Sequence, residues 1–228
     1  MKMPPQPPFC LLETMRWEHG IALLNRHLAR SAAAAAALNF RFDESAIRLA
    51  LLQFEASLDS LPRPASLRDS GEDTIYRLRL TLDKAGSFHV TFTPLKRDAV
   101  AFRTVTLHTE PVDSTDRLRA FKTTKRDAYE AAYDLAKDSG FDEAILVNER
   151  GEVVEGTRTN LWVRRDGFWL TPPLSSGSLG GVYRAHMLET WKDASEAVLS
   201  VGDLVAAEQV GLSNAVHGFL PVVLETDS

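Results

Sequence analysis

Two consecutive stretches of alternating apolar and polar residues constrain the fold of this chain more than any other feature. Thr74–Leu82 and Ser87–Leu95 both alternate with a period of two, and Lys84-Ala85-Gly86 lies between them. Period-two alternation is typical of strands that bury one face, and a short connection containing glycine is typical of a β-hairpin. The first half of the chain is therefore predicted to contain antiparallel strands.

Helical patterns precede this hairpin. Asn25–Leu38 contains six consecutive alanines, and we interpret it as a closely packed helix because alanine has the highest helix propensity. A second helix is predicted to begin at Asp43-Glu44, since apolar residues follow at helical spacing: Ile47, Leu51, Phe54 and Leu58. Strands and helices mix in this way in both halves of the chain, which predicts an α+β fold in two subdomains.

The segment Glu110–Thr115 is the predicted linker between a small subdomain of residues 1–110 and a larger one of residues 111–228. Prolines predict an irregular arm over Met1–Pro8, and Leu61–Asp73 is predicted to be a loop. Further strands are predicted at Phe9–Trp17, Ile21–Leu24, Ala99–His108, Glu143–Asn148, Phe168–Thr171, Val198–Val201, Val210–Leu212 and Leu220–Leu224, and a strand region interrupted at Gly156 is predicted over Val153–Val163. Further helices are predicted at Asp127–Asp138 and Val182–Trp191.

Charge and cysteine content narrow the classes of partner. The chain has 228 residues and a formal net charge of -5, which gives no electrostatic basis for binding nucleic acid or an anionic membrane. Cys10 is the single cysteine, so no intramolecular disulfide is possible, and no apolar run is long enough to span a bilayer. We therefore expect a cytoplasmic protein that acts on a small molecule, with no nucleic acid or membrane as partner.

Three basic residues cluster just before a predicted helix, in Phe121-Lys122-Thr123-Thr124-Lys125-Arg126. Positive charge at a helix N-terminus opposes the helix dipole, so the cluster invites a functional explanation, although a solvated helix start is the simpler alternative. A lysine that forms a Schiff base must lie in a partly desolvated pocket, where its free amine can attack an aldehyde. Lys122 is the candidate for this chemistry, and Lys125 is its rival.

Glu155 is a carboxylate between Val153-Val154 and Gly156, inside an otherwise apolar pair of strands. It is either a strand-end carboxylate in solvent or an acidic partner that keeps the pyridine nitrogen of a cofactor protonated. In the second case the ring can act as an electron sink.

Two further segments have features of anion sites. The loop Ser175–Gly181 is rich in glycine and leads into a helix, an arrangement that exposes backbone N–H groups to an anion. Arg30 lies one helical turn after His27 and Arg26, where its guanidinium can clamp a phosphate. An ordinary flexible loop and a basic helix face are the respective alternatives.

In their order and spacing these segments resemble the class IV (fold-type IV) enzymes that use pyridoxal 5′-phosphate (PLP). That group includes branched-chain aminotransferases, D-amino-acid aminotransferases and 4-amino-4-deoxychorismate lyases. The resemblance extends from Phe9 to Val223 and is strongest to the lyase branch. Its segments are LLETMRW, LLNRHLARSA, FKTTKRDAYEAA, DEAILVNERGEVVEGTRTNLWV, LTPPLSSGSLGGVYR and LSNAVHGFLPV.

The resemblance implies a D-amino-acid aminotransferase-like fold of two α/β subdomains with PLP between them. The N-terminal subdomain is expected to be shortened, because the strand pair that the family places before the position of Phe9 is missing. The resemblance also implies that Lys122 is the Schiff-base lysine and Glu155 the partner of the pyridine nitrogen. The remaining implied cofactor-binding residues are Arg30, Val182, Tyr183, Asn214 and Ala215 on the phosphate side, and Thr157, Thr159 and Asn160 beside the ring.

The lyase branch implies conversion of 4-amino-4-deoxychorismate to 4-aminobenzoate and pyruvate, in the folate precursor pathway. Leu12 stands where transaminating relatives often carry an aromatic hydroxyl, which favours the lyase. Transfer of an amino group from an amino acid to a 2-oxo acid, or a non-catalytic role, are the alternatives. The resemblance further implies a homodimer and an aminodeoxychorismate synthase upstream in the pathway. We expect no metal site, because the six histidines form no ligand-like cluster.

Overall fold

The computed structural model describes residues 9–58, 75–95 and 103–225. The arm predicted at Met1–Pro8 and the loop predicted at Leu61–Asp73 lie outside these ranges. The chain forms two compact units: a smaller one of Met1–Pro94 with Lys122–Lys125, and a larger one of Leu95–Phe121 with Arg126–Ser228. The segment Glu110–Thr115, predicted as a linker, lies within the larger unit.

The smaller unit contains a three-stranded sheet in the order β1-β2-β3. Its strands are β1 (Leu11–Trp17), β2 (Ile75–Leu82) and β3 (Phe88–Leu95). Strand β1 runs antiparallel to β2, with Leu11 opposite Leu82 and Trp17 opposite Tyr76. The hairpin prediction is confirmed, because the amide of Asp83 donates to the carbonyl of Ser87 at 2.9 Å and Gly86 takes a φ of 95° in the turn.

Two helices follow β1 in the same unit, α1 (Leu24–Leu38) and α2 (Glu44–Leu58), and both predictions are confirmed. Ala34 and Ala35 lie on the buried face of α1, where their small side chains allow close packing. The strand predicted at Ile21–Leu24 is wrong. Ile21 makes a single bridge to Trp17, and Leu23 then takes a left-handed φ of 55°, which ends the extended backbone immediately before α1.

The larger unit contains a mixed eight-stranded sheet in the order β6-β5-β4-β11-β10-β7-β8-β9. Strands β4–β5, β4–β11 and β8–β9 pair in parallel, and β5–β6, β7–β8, β7–β10 and β10–β11 pair antiparallel. The bounds are β4 (Thr104–Leu107), β5 (Glu143–Val147), β6 (Val153–Gly156), β7 (Asn160–Arg165), β8 (Phe168–Thr171), β9 (Ala194–Glu196), β10 (Gln209–Asn214) and β11 (Gly218–Leu224).

Three helices accompany this sheet: α3 (Asp127–Asp138), α4 (Val182–Thr190) and α5 (Val201–Val205). Helix α3 lies in the crossover between the parallel strands β4 and β5 and packs Ala132 and Ala136 into a buried cluster. A second buried cluster joins the strands through branched apolar side chains, among them Val105, Ile145, Leu161, Val163 and Leu212.

The strand predicted at Val198–Val201 is wrong. The extended residues of this region are Ala194–Glu196, and Val201 already belongs to α5. Ser200 accepts a hydrogen bond from the amide of Asp203, whose carboxylate accepts from the amide of Ser200. This reciprocal capping box stabilises the start of a helix and outweighs the β propensity of the valines.

Helices and strands occur in both units, so the predicted α+β class is confirmed. Within residues 9–58, 75–95 and 103–225, the helices are too short or too polar to cross a bilayer.

Candidate active site

The carboxylate of Glu155 is the central group of the site in the larger unit. Glu155 lies near the end of β6, a strand whose four residues are all buried, and the residue is 3% exposed. A carboxylate this deeply buried needs hydrogen-bond donors or positive charge around it, because desolvation of an ion is unfavourable. The alternative that Glu155 is a solvated strand-end residue is therefore wrong.

Four groups surround this carboxylate. The amide of Leu179 donates to Oε2 at 3.0 Å, and the side-chain amide of Asn160 donates to the same oxygen at 3.3 Å. The hydroxyl of Tyr129 donates to Oε1 at 2.8 Å, and Nη2 of Arg119 lies 3.5 Å from Oε1. Three neutral donors and the guanidinium of Arg119 thus lie around a single buried acid.

Burial and these neighbours act on the pKa of Glu155 in opposite directions. Burial is the largest influence and leaves the pKa raised above its usual range, whereas the charge of Arg119 and the hydrogen bonds from Leu179 and Tyr129 offset part of that increase. Burial and the adjacent carboxylate raise the pKa of Tyr129, so its hydroxyl keeps its proton and remains a donor.

A second buried acid, Glu143 at the start of β5, holds the loop that follows Glu155. It accepts hydrogen bonds from the amides of Thr157 at 3.0 Å and Arg158 at 3.1 Å, and from the hydroxyl of Thr159 at 3.4 Å. The hydroxyl of Thr157 also donates to it. Burial raises the pKa of Glu143. The predicted roles of Thr157 and Thr159 beside a cofactor ring remain predictions, and in the structure both residues order the loop.

Asn160 ties this loop to the glycine-rich segment. Its Nδ2 donates to the carbonyl of Leu179 at 2.8 Å as well as to Glu155. A Cβ atom added at Gly181 would come 1.9 Å from Oδ1 of Asn160, so position 181 has no room for a side chain.

The N-terminus of α4 has the features of an anion site. Gly181 is the N-cap and supplies no side-chain cap. Among the residues that the structure describes, the N–H groups of Val182 and Tyr183 have no hydrogen-bond acceptor. Unsatisfied amides and the positive end of a helix dipole favour a phosphate there.

Asn214 and Ala215 lie at the turn between β10 and β11. Oδ1 of Asn214 accepts from the amides of Val216 at 3.0 Å and His217 at 2.9 Å. Asn214 therefore shapes its own turn, and the phosphate-side roles of Asn214 and Ala215 remain predictions.

Lys122 belongs to the smaller unit, where its backbone is fixed against β1. Its carbonyl accepts from the amide of Leu12 at 2.9 Å, and the next residue, Thr123, forms a bridge with Leu11. The amide of Thr124 donates to the carbonyl of Cys10 at 2.9 Å. Sheet-like pairing at the Lys122 carbonyl and over the next two residues restrains the backbone at Lys122, as covalent chemistry at a lysine requires.

Arg30 of the smaller unit is held by a buried acid of β1. Its Nε lies 2.8 Å from Oε1 of Glu13 and its Nη2 lies 2.5 Å from Oε2. Nδ1 of His27 lies 2.6 Å from the same carboxylate. Although burial opposes ionisation, Arg30 and His27 lower the pKa of Glu13 to about 2. The phosphate role of Arg30 remains a prediction.

Each unit, taken by itself, contains groups whose chemistry suits the predicted cofactor. The larger unit supplies a buried acid for a pyridine nitrogen at Glu155 and uncapped helix amides for a phosphate at α4. The smaller unit supplies a lysine on a fixed backbone. Sequence reasoning missed four contributors, namely Glu13, Arg119, Tyr129 and Glu143. Glu13 lies within a largely buried strand, as Glu155 does, and Glu143 begins one; an acid in such a segment was the available signal.

Comparison with known proteins shows the family of this chain. The model of the family described as Amino-transferase class IV matches residues 10–224. A Schizosaccharomyces pombe protein, named as a candidate aminodeoxychorismate lyase, is 30% identical over 212 residues, which cover 90% of this chain and 85% of that protein.

Solved structures share the fold. A candidate amino-acid aminotransferase from Mesorhizobium loti has a TM-score of 0.78 and 34% identity, and the match covers 95% of this chain and all of that one (100%). A 4-amino-4-deoxychorismate lyase from Pseudomonas aeruginosa has a TM-score of 0.76 and 24% identity, with 96% and 83% of the two chains covered. At that identity the second likeness shows the fold alone.

Proposed function

Because the chain belongs to the class IV aminotransferase family, which uses PLP, we propose that it is a PLP-dependent lyase. Its proposed reaction converts 4-amino-4-deoxychorismate to 4-aminobenzoate and pyruvate. The observation that carries the chemistry is the buried carboxylate of Glu155 with its surrounding donors. The near full-length similarity to the S. pombe protein supports the lyase among the reactions that this family performs.

When bound, PLP supplies an electron sink that stabilises negative charge on the carbon next to the substrate nitrogen. We propose that Lys122 holds the cofactor covalently and that Glu155 faces its pyridine nitrogen. The amides of Val182 and Tyr183, together with Arg30, hold its phosphate. Thr157, Thr159 and Asn160 border the ring, and Asn214 and Ala215 line the phosphate side.

In this proposal the amine of the substrate would displace Lys122 from the cofactor, and the ε-amine of Lys122 set free in this way would perform the proton transfers. It removes the proton from the amine-bearing carbon of the substrate and carries that proton on Nζ. The enolpyruvyl group then leaves from the adjacent carbon, which makes the six-membered ring aromatic. Lys122 serves as the general acid for the departing group, and the enol becomes pyruvate.

Amino-group transfer to a 2-oxo acid is the second candidate function. The observation that favours it is the Mesorhizobium loti protein, a candidate amino-acid aminotransferase at 34% identity. Both reactions begin with the same proton removal by Lys122, so the residues around Glu155 serve either one.

The two functions differ in their need for an amino acceptor. A lyase regenerates its starting form in every cycle, whereas an aminotransferase stops after one half-reaction until a 2-oxo acid arrives. The test supplies PLP-loaded protein with 4-amino-4-deoxychorismate alone and follows pyruvate and 4-aminobenzoate. Sustained release of both in equal amounts supports the lyase. A halt after one equivalent, with rapid exchange between an amino acid and a 2-oxo acid, supports the aminotransferase, and inactivity in both assays contradicts both.

A further inference from the structure

Arg119 is a buried cation that the functional proposal does not use. It lies in a short 3-10 turn, Arg117–Ala120, which Asp116 caps by accepting a hydrogen bond from the amide of Leu118. Arg119 is 7% exposed. A guanidinium is buried at this depth only where other groups compensate for its desolvation.

One edge of this guanidinium is fixed by the glycine-rich loop. Its Nε donates to the carbonyl of Gly177 at 3.0 Å, and Gly177 takes a left-handed φ of 96°. A Cβ atom added at position 177 would lie 3.0 Å from Cα of Ser114, so the backbone passes close to its neighbours here. The turn that carries Arg119 and the loop that accepts from it are therefore both tightly constrained.

The other edge of the guanidinium faces Glu155. Nη2 lies 3.5 Å from Oε1 of Glu155 and has no hydrogen-bond partner among the described residues. A buried N–H group without an acceptor is uncommon, and here it lies beside a buried carboxylate whose two oxygens already accept from neutral donors. The geometry indicates that Nη2 acts on Glu155 through its charge.

Tyr129 contacts both Arg119 and Glu155. The Cζ atom of Arg119 lies 4.8 Å from the centroid of the Tyr129 ring. The hydroxyl of Tyr129 donates to Oε1 of Glu155. Arg126 also stacks on the ring, at 4.4 Å, and its Nη2 donates to the carbonyl of Thr157. The charged and titratable groups that act on Glu155 are thus Arg119, Arg126 and Tyr129. Its neutral donors are Asn160 and the amide of Leu179.

We propose that Arg119 is a positioning residue that keeps Glu155 in its carboxylate form. The effect of Arg119 on catalysis rests on the proposed function, in which Glu155 faces the pyridine nitrogen of PLP. A protonated carboxylic acid would donate its hydrogen to a pyridine nitrogen and leave the ring neutral. A carboxylate accepts a hydrogen bond from the protonated nitrogen, and the ring then withdraws electrons more strongly. Burial alone pushes Glu155 towards the acid form, and the cation at 3.5 Å opposes that tendency.

The direct test measures the ionisation of Glu155 in the full chain without added PLP. Glutamate labelled with ¹³C at Cδ gives a carboxyl signal whose shift is followed against pH, and the signal that disappears in Glu155→Gln is assigned to Glu155. Arg119→Gln removes the cation and should raise the titration midpoint by about 1 to 3 pH units. Arg119→Lys retains a charge on a single nitrogen and should raise the midpoint by less.

Arg164→Gln is the matched control, because Arg164 also stacks on an aromatic ring, that of Trp169, but pairs with Asp193 instead of Glu155. It should leave the midpoint unchanged. An unchanged midpoint in Arg119→Gln overturns the proposal. If that variant does not fold, Arg119→Met, which is also uncharged and has an unbranched side chain, decides: an upward shift supports the proposal, and no shift overturns it.

This measurement separates the proposal from the function on which it rests. The titration needs no cofactor, so a chain that binds no PLP would contradict the proposed function and leave the role of Arg119 towards Glu155 intact. In PLP-loaded protein, the double variant Arg119→Gln/Glu155→Gln should be no slower in proton removal than Glu155→Gln alone, because Arg119 acts through Glu155. If the two substitutions slowed proton removal additively, Arg119 would act on the reaction independently of Glu155, which would contradict the proposal.

Discussion

At the scale of single residues, Lys122 and Glu155 have different surroundings and are expected to fail in different ways. Lys122 is joined to β1 through its backbone carbonyl, and this pairing does not require its side chain. Glu155 is buried among donors that would lose their acceptor if the carboxylate were removed. A substitution at Lys122 should therefore abolish covalent binding of the cofactor. A substitution at Glu155 must keep the shape of the side chain if the protein is to fold.

We expect Lys122→Ala to abolish covalent cofactor binding while the fold remains. The wild-type chain with PLP should show a visible absorption band that borohydride bleaches, and peptide mapping should find the pyridoxyl label on Lys122. Lys125→Ala is the control and should keep both the band and the label, because Lys125 is the neighbouring lysine on the same segment. A label on Lys125, or no adduct in the wild type, contradicts the assignment. Circular dichroism checks that the Ala variant is folded.

Glu155→Gln should still bind PLP but should remove the substrate proton much more slowly than the wild type. Glutamine preserves the shape of the side chain but carries no charge to keep a pyridine nitrogen protonated. The measurement compares the dissociation constant for PLP, by titration of the visible band, with the loss of deuterium from substrate labelled at the amine-bearing carbon. Full turnover in this variant would remove the electronic role of Glu155.

At the scale of elements, the junction of β1 and α1 predicts a pH dependence of stability. The pKa of Glu13 is about 2 in the folded chain, against an ordinary value of 4.5. An acid whose folded pKa is lowered stabilises the fold above its unfolded pKa and loses that contribution as pH falls through the folded value. The stabilisation, about 3 kcal/mol by linkage, should therefore be complete at neutral pH and decline between pH 4.5 and 2.

Glu13→Gln tests this linkage, because it keeps a hydrogen-bonding side chain and cannot ionise. Its free energy of unfolding in urea should lie below that of the wild type at pH 7, and the gap should narrow as pH falls below 4.5. Glu44→Gln is the control, since Glu44 forms an exposed ion pair with Arg48 on α2. A constant gap across this pH range would show that Glu13 acts through packing alone.

The start of α4 supports a second prediction at this scale. A Cβ atom at Gly181 would overlap Oδ1 of Asn160, whereas one at Gly180 would meet only Leu174, at 3.9 Å. Gly181→Ala should therefore destabilise the chain by about 1 to 3 kcal/mol and weaken PLP binding, because Asn160 must move away from Leu179 and Glu155. Gly180→Ala should change both quantities little. Equal effects of the two substitutions, measured by urea unfolding and PLP titration, would contradict the proposed role of this helix start.

At the scale of the whole molecule, the sequence predicted the features that depend on local periodicity. The hairpin of β2 and β3 and the helices α1 and α3 follow from residue spacing within each segment. The strand order does not, because β4 pairs with β5 and β11, which lie far from it in the chain. The same reason explains the residues that were missed around Glu155: Arg119 and Tyr129 reach it only through tertiary packing. Glu155 itself was predictable, because an acid in an apolar strand is conspicuous.

PLP is expected to stabilise the folded chain as a whole, in part through its phosphate. A ligand that binds only the folded state at 100 times its dissociation constant adds about 2.7 kcal/mol to the free energy of unfolding. Pyridoxal has the same aldehyde and ring but no phosphate, so it cannot use the amides at the start of α4 or the guanidinium of Arg30. At equal concentration it should therefore stabilise the chain much less than PLP, as measured by urea unfolding with each compound. Equal stabilisation by both compounds would show that neither group contributes to phosphate binding, and would leave Lys122 and Glu155 as the anchors of the cofactor.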